Sequence, residues 1–203
     1  WRRRFEQIIT EMRETRDSLA RVQFAPQANK ESLDSSDDGQ TEEQRLARAS
    51  ALRLLRVKRG EQHSQRATQE VLGVALSFDD IRQELINNRI DATDRRNRIE
   101  NDIVGPLTNI VNEMFPILDG RLGRLRSNLE GASPENETRA AAVSVLAQSD
   151  EILLSLEAVL EKMLELETYN ELVDLIRQMI RDQEDLTDRT REQQKKSALD
   201  LLK

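Results

Sequence analysis

Four basic residues crowd the stretch RLLRVKRG: Arg53, Arg56, Lys58 and Arg59. On one helix they form a candidate contact for an anionic group or an acidic partner, because basic amphipathic helices bind anionic surfaces. The plainer role for such cations is to pair with carboxylates on a neighbouring helix. His63 follows in GEQHSQR and is the single histidine of the chain. A Ser–His–Asp triad needs a histidine beside a nucleophile and an orienting carboxylate, and this polar helical stretch offers no such setting. Di-metal bundle sites take Glu-x-x-His from two helices, which one histidine does not provide. His63 therefore reads as a solvated surface residue.

Other chemistry is thinner still. Carboxylates abound, as in DDIRQE and RDQEDLTD, but at helical spacing they form solvated faces with i,i+4 partners. Glu184, Asp185 and Asp188 amount to no more than a weak hard-cation cluster. The glycines are scattered and none precedes a Lys-Ser or Lys-Thr pair, so no phosphate loop is legible. The absence of cysteine excludes disulfides, thiol catalysis and Cys-ligated metal. Asn136–Thr138 matches a glycosylation sequon, which carries little weight alone. No catalytic constellation, metal set or cofactor site emerges, and the chain reads as non-enzymatic.

The elements around these residues are helical. Apolar residues make up 37% of the 203, charged residues 34% and aromatics 3%, a profile of long helices packed along narrow seams. The formal charge of −7 argues against nucleic acid as a partner. The expected fold class is all-α, an elongated antiparallel, coiled-coil-like bundle of five or more helices. Its expected divisions are an N-terminal helix at 1–23, a polar linker at 24–40 and a helical bundle domain at 41–203.

Phe5, Ile8, Ile9, Met12, Leu19 and Val22 mark the first helix. The box TEEQ, Thr41–Gln44, opens the second. Its structural seam is Val71, Val74, Phe78, Ile81 and Leu85, extending back to Ala67 in heptad steps. Further back that register meets Ser64, Gly60, Val57, Arg53 and Ser50, where Leu52, Leu54 and Leu55 point to a different buried face. A break near Gly73 would divide 41–88 into two helices. NNRIDATD reads as a turn.

Next comes an arm with prolines inside it. Ile99, Ile103, Leu107, Ile110, Met114, Ile117, Leu122, Leu125 and Leu129 keep helical phase across Pro106 and Pro116. The expectation is helix bends at Pro106 and Pro116, the second costing roughly 3 kcal/mol if unrelieved. Gly131, Ser133 and Pro134 close that arm and open a helix over 134–165. TYNE, Thr168–Glu171, then opens or re-registers a final helix. The polar run 181–196 reads as projecting into water or pairing with a partner, with Leu199, Leu201 and Leu202 as terminal anchors.

EVLGVALSFDDIRQELINNRIDATDRRNRIENDIVGPL, IVNEMFPILDGRL and LELETYNELVDLIRQMIRDQEDLTDRTREQQKK together resemble the helical region of large, coiled-coil-rich, membrane-associated proteins of planctomycete bacteria. The likeness covers roughly residues 50–200, and DDIRQELINNRID and EMFPILD are its most distinctive pieces. It implies no reaction and carries over no site residue. What it does imply is a longer parent protein with a signal or membrane segment upstream. The start at Trp1 fits a fragment, and WRRRF has the aromatic-and-basic look of a membrane-helix flank. No stretch here reaches the ~20 apolar residues of a span. The expected role is a spacer or scaffold in the cell envelope. Its expected partners are other parts of the parent, another protein or a second copy, with membrane contact only through a segment outside 1–203. The alternative is an anionic-surface module using Arg53–Arg59.

Overall fold

The computed structural model describes the backbone of residues 1–22, 42–87, 93–131 and 133–200. Side chains are described for 1–22, 43–87, 93–131 and 133–168, with Met179 and Gln183. Among the described residues the chain is all-helical, with four helices and no strand. They are α1 (Arg2–Ala20), α2 (Glu42–Asn87), α3 (93–130) and α4 (Glu135–Asp200). Four replaces the expected five or more for two reasons. Helix α2 passes Gly73 without a break, and α4 runs through TYNE without restarting. The linker expected at 24–40 lies outside the described residues, as do Thr41 and 88–92 of the expected turn.

The chain divides into two compact units, Trp1–Lys162 and Met163–Lys203. The second is helical through Asp200. The Thr168 hydroxyl, expected to cap a new helix, instead donates to the Leu164 carbonyl at 3.1 Å within its own helix. Leu199, Leu201, Leu202 and the side chains of Glu184, Asp185 and Asp188 lie outside the described residues.

In the first unit α2 is the central element. Its buried face runs Arg53, Val57, Gly60, Ser64, Ala67, Val71, Val74 and Phe78, alternating steps of four and three, and Leu85 is buried beyond them. The heptad seam therefore continues through the region where the local leucines pointed elsewhere. Leu52 is 52% exposed and Leu55 44%, while Leu54 is half-buried. One continuous helix keeps one face to its neighbours, so the long register overrides a local cluster of leucines. Gly60 belongs in that seam because Leu19 of α1 fills the space above it. A Cβ on Gly60 would sit 3.1 Å from Leu19 Cδ2.

One seam residue is misplaced by sequence. Ile81 is 40% exposed. Helix α1 runs antiparallel to α2, from Trp1 beside Phe78 to Leu19 over Gly60. Ile81 lies nearly one turn beyond Phe78, which packs against Trp1. The Trp1 ring meets Phe78 edge-on, with centroids 5.3 Å apart, so the aromatic of WRRRF packs on the seam.

Helix α3 accommodates its prolines by changing helix type. Its segments are α-helical Thr93–Arg98, π-helical Ile99–Val104, α-helical Gly105–Asn109, π-helical Ile110–Met114 and α-helical Phe115–Glu130. Each proline is the second residue of an α-helical segment just after a π-turn. There its missing N–H falls in a first turn, where it costs least. The Gly105 N–H donates to the Glu100 carbonyl and the Phe115 N–H to that of Ile110, both five residues back. The chain thus stays helical through both prolines, each just after a π-turn.

The second π-turn also shifts the buried face. Five residues are about 1.4 turns of α-helix, whereas i→i+5 bonding stacks residues five apart nearly above one another. Phe115 consequently follows Ile110 into the core, then Leu118, Leu122 and Leu125. Met114 and Leu129 are half-buried, and Ile117 is 46% exposed, in correction of their expected core positions.

Candidate interaction surface

Side chains from α2 tie the neighbouring helices at intervals. Arg53 is buried. Its Nε and Nη2 donate to the Val22 carbonyl at 3.1 and 2.9 Å, and its Nη1 and Nη2 to the two Glu135 carboxylate oxygens at 3.1 and 2.9 Å. The planar fork of arginine suits such a bidentate pair, which offsets the desolvation of its charge. Lys58 pairs with Glu130 at 3.2 Å, and Arg126 of α3 donates to Glu61 at 2.9 Å. The buried Ser64 hydroxyl donates to Asp119 at 2.7 Å. Near the other end Arg82 binds Asp79 and lies 2.8 Å from Glu100. Helix α1 is tied to α4 through Arg13–Glu157 and Arg16–Asp150.

Two arginines in these ties are held more firmly in their charged form. Hydrogen bonds to Asp150 and then Asp17 raise the Arg16 pKa above its ordinary value, and the bond to Asp79 does the same for Arg82. Arg66 is raised by its bond to Glu70 and then by the charge of Glu11.

The cluster RLLRVKRG is therefore divided by the fold. Arg53 pairs with Glu135 and Lys58 with Glu130, as the plainer reading of these cations expects. Arg56 and Arg59 turn instead to a groove of about 180 Å³ between α1 and α2. Its α2 wall is Arg56, Arg59, Gly60 and His63, and its α1 wall Glu11, Glu14, Thr15 and Ser18. His63, expected on the surface, is exposed at its lip.

Glu11 accepts from Gln7 at 2.8 Å and lies 3.9 Å from Arg66. The Thr15 hydroxyl donates to the Glu11 carbonyl within α1 at 2.8 Å, which leaves its oxygen free to accept. Glu14, Arg56, Arg59 and His63 make no hydrogen bond or ion pair among the described residues. The carboxylate wall and the guanidinium wall face each other without closing.

Sequence alone missed the α1 wall. Glu11, Thr15 and Ser18 recur at helical spacing, as do Arg56, Gly60 and His63, but only tertiary pairing brings the two rows together. The sequon threonine, Thr138, is buried in the first turns of α4. Among the described residues no helix is long and apolar enough to cross a membrane, and no group of three or more His, Cys, Asp or Glu is placed to hold a metal ion. No protein-family model, curated protein or solved structure matches this chain.

Proposed function

We propose that this chain is a non-enzymatic structural or protein-interaction module, an elongated antiparallel bundle that spaces or scaffolds a larger, envelope-associated protein. The observation that carries the reading is the lengthwise tying of α2. A 46-residue helix is about 70 Å long at 1.5 Å per residue. Polar ties lie within its seam at Arg53 and Ser64 and beside it at Lys58, Glu61 and Arg82, so both halves of the rod are held. Such ties fix helix order and register more than they add stability. The envelope setting and the longer parent rest on the resemblance of residues 50–200 to planctomycete coiled-coil-rich proteins.

The chain has no cysteine, so two introduced thiols would be unique labelling sites. With spin labels at Leu46→Cys and Gln83→Cys, both exposed on α2, a stiff spacer gives one narrow distance distribution near about 55 Å. A broad or much shorter distribution rules the spacer out.

A second reading, binding to an anionic surface, draws on Arg56 and Arg59, which make no ion pair among the described residues. Cosedimentation with anionic vesicles at low and high salt tests it. Salt-sensitive binding lost in Arg56→Glu and Arg59→Glu supports it, and no binding at low salt removes it.

A further inference from the structure

We propose that the α1–α2 groove binds a small zwitterion, with a phosphate on the Arg56–Arg59 wall and a primary ammonium on the Glu14–Thr15 wall. The inference rests neither on the spacer role nor on an anionic membrane surface.

Its first support is the division of donors and acceptors. The α2 wall offers the guanidinium donors of Arg56 and Arg59, which match the oxygens of a phosphate. The α1 wall offers the Glu14 carboxylate and the Thr15 oxygen, whose proton is already given to the Glu11 carbonyl. Those groups accept, which is what an ammonium with N–H bonds requires. The second support is that the walls stay apart. Elsewhere in this unit facing charges of α1, α2, α3 and α4 close into ion pairs, at Arg13–Glu157, Arg16–Asp150, Arg53–Glu135 and Lys58–Glu130. Here Arg56, Arg59 and Glu14 make no ion pair among the described residues and border about 180 Å³, room for a small molecule that carries both charges.

A lone anion would meet the carboxylates of Glu11 and Glu14, and a lone cation the two guanidinium groups. A molecule with both charges avoids each repulsion. Glu11 is the less available carboxylate because Gln7 and Arg66 already hold it. Phosphoethanolamine has the required chemistry, either as a free molecule or as the headgroup of a phospholipid.

Calorimetric titration of the full chain with phosphoethanolamine tests the assignment, with inorganic phosphate and phosphocholine as comparisons. Saturable one-to-one binding is expected, weakened about tenfold in Arg56→Gln and in Arg59→Gln, the loss of one charge-assisted contact. Glu14→Gln should weaken phosphoethanolamine similarly while leaving inorganic phosphate binding no weaker. Phosphocholine, whose ammonium has no N–H to donate, should bind less well than phosphoethanolamine. Flotation with phosphatidylethanolamine against phosphatidylcholine vesicles separates the sources. Preference for the former assigns the lipid headgroup, and binding of the free compound alone assigns a soluble ligand. Absence of saturable binding by a chain with intact helical circular dichroism overturns the proposal. So does phosphoethanolamine binding unchanged by both Arg56→Gln and Glu14→Gln. Salt-sensitive binding to anionic vesicles without phosphoethanolamine binding also overturns it, and leaves the anionic-surface reading standing.

Discussion

The Phe115 N–H donates to the Ile110 carbonyl five residues earlier, and that bond puts Phe115 in the core where α-helical spacing would put Met114. One extra residue in that turn moves the buried face by one position. Leu118 is consequently buried and Ile117 exposed.

This register makes a direct prediction. Phe115→Ala should destabilise the fold by about 3–5 kcal/mol, the range for emptying a buried aromatic site. Ile117→Ser, on the exposed side, should stay within about 0.5 kcal/mol. Denaturant unfolding of both variants measures the difference. A larger cost for Ile117→Ser would show that the turn is α-helical.

Pro116→Ala restores a backbone donor and a better helix former. Because Phe115 and Leu118 are fixed by packing, the π-turn should persist and stability should change by less than about 1 kcal/mol. Thermal melts beside an exposed Pro134→Ala control decide the point. A gain of about 3 kcal/mol, the full helix-interior penalty of proline, would mean that the segment holds strain.

Three glycines in helices should respond differently to alanine. At Gly120 nothing lies within 4 Å of a new Cβ, so Gly120→Ala should stabilise by about 0.5–1 kcal/mol. At Gly60 the Cβ would press on the buried Leu19, and at Gly105 it would lie 3.1 Å from the Glu100 carbonyl that anchors the first π-turn. Gly60→Ala and Gly105→Ala should show none of that gain. Equal increases in melting temperature for all three would remove both contacts from the account.

Arg53→Ala should cost about 2–4 kcal/mol, since it strips a buried cation from the Val22 carbonyl and from Glu135. Arg53→Lys should recover only part of this, because one ammonium cannot reproduce the bidentate fork. Chemical denaturation of both variants tests the tie. Full rescue by lysine would reduce Arg53 to a simple point charge.

Much of this molecule is legible one helix at a time. Composition fixes the all-helical class, and the steps of three and four from Ala67 to Phe78 locate the central seam, because an α-helix turns each such step to the same side. The first helix is equally readable from Phe5, Ile8, Ile9, Met12 and Leu19. Local spacing does not specify what lies across the seam. Arg53, Gly60 and Ser64 read as weaknesses until Glu135, Leu19 and Asp119 are placed opposite them. Ile81 reads as core from its spacing, yet the fold leaves it 40% exposed. The prolines announce a departure from α geometry, but two backbone bonds decided that it would be π-turns and a shifted face. The groove belongs wholly to tertiary structure. Its two walls lie far apart in sequence, and burial, charge pairing and close approach are properties of pairs of helices.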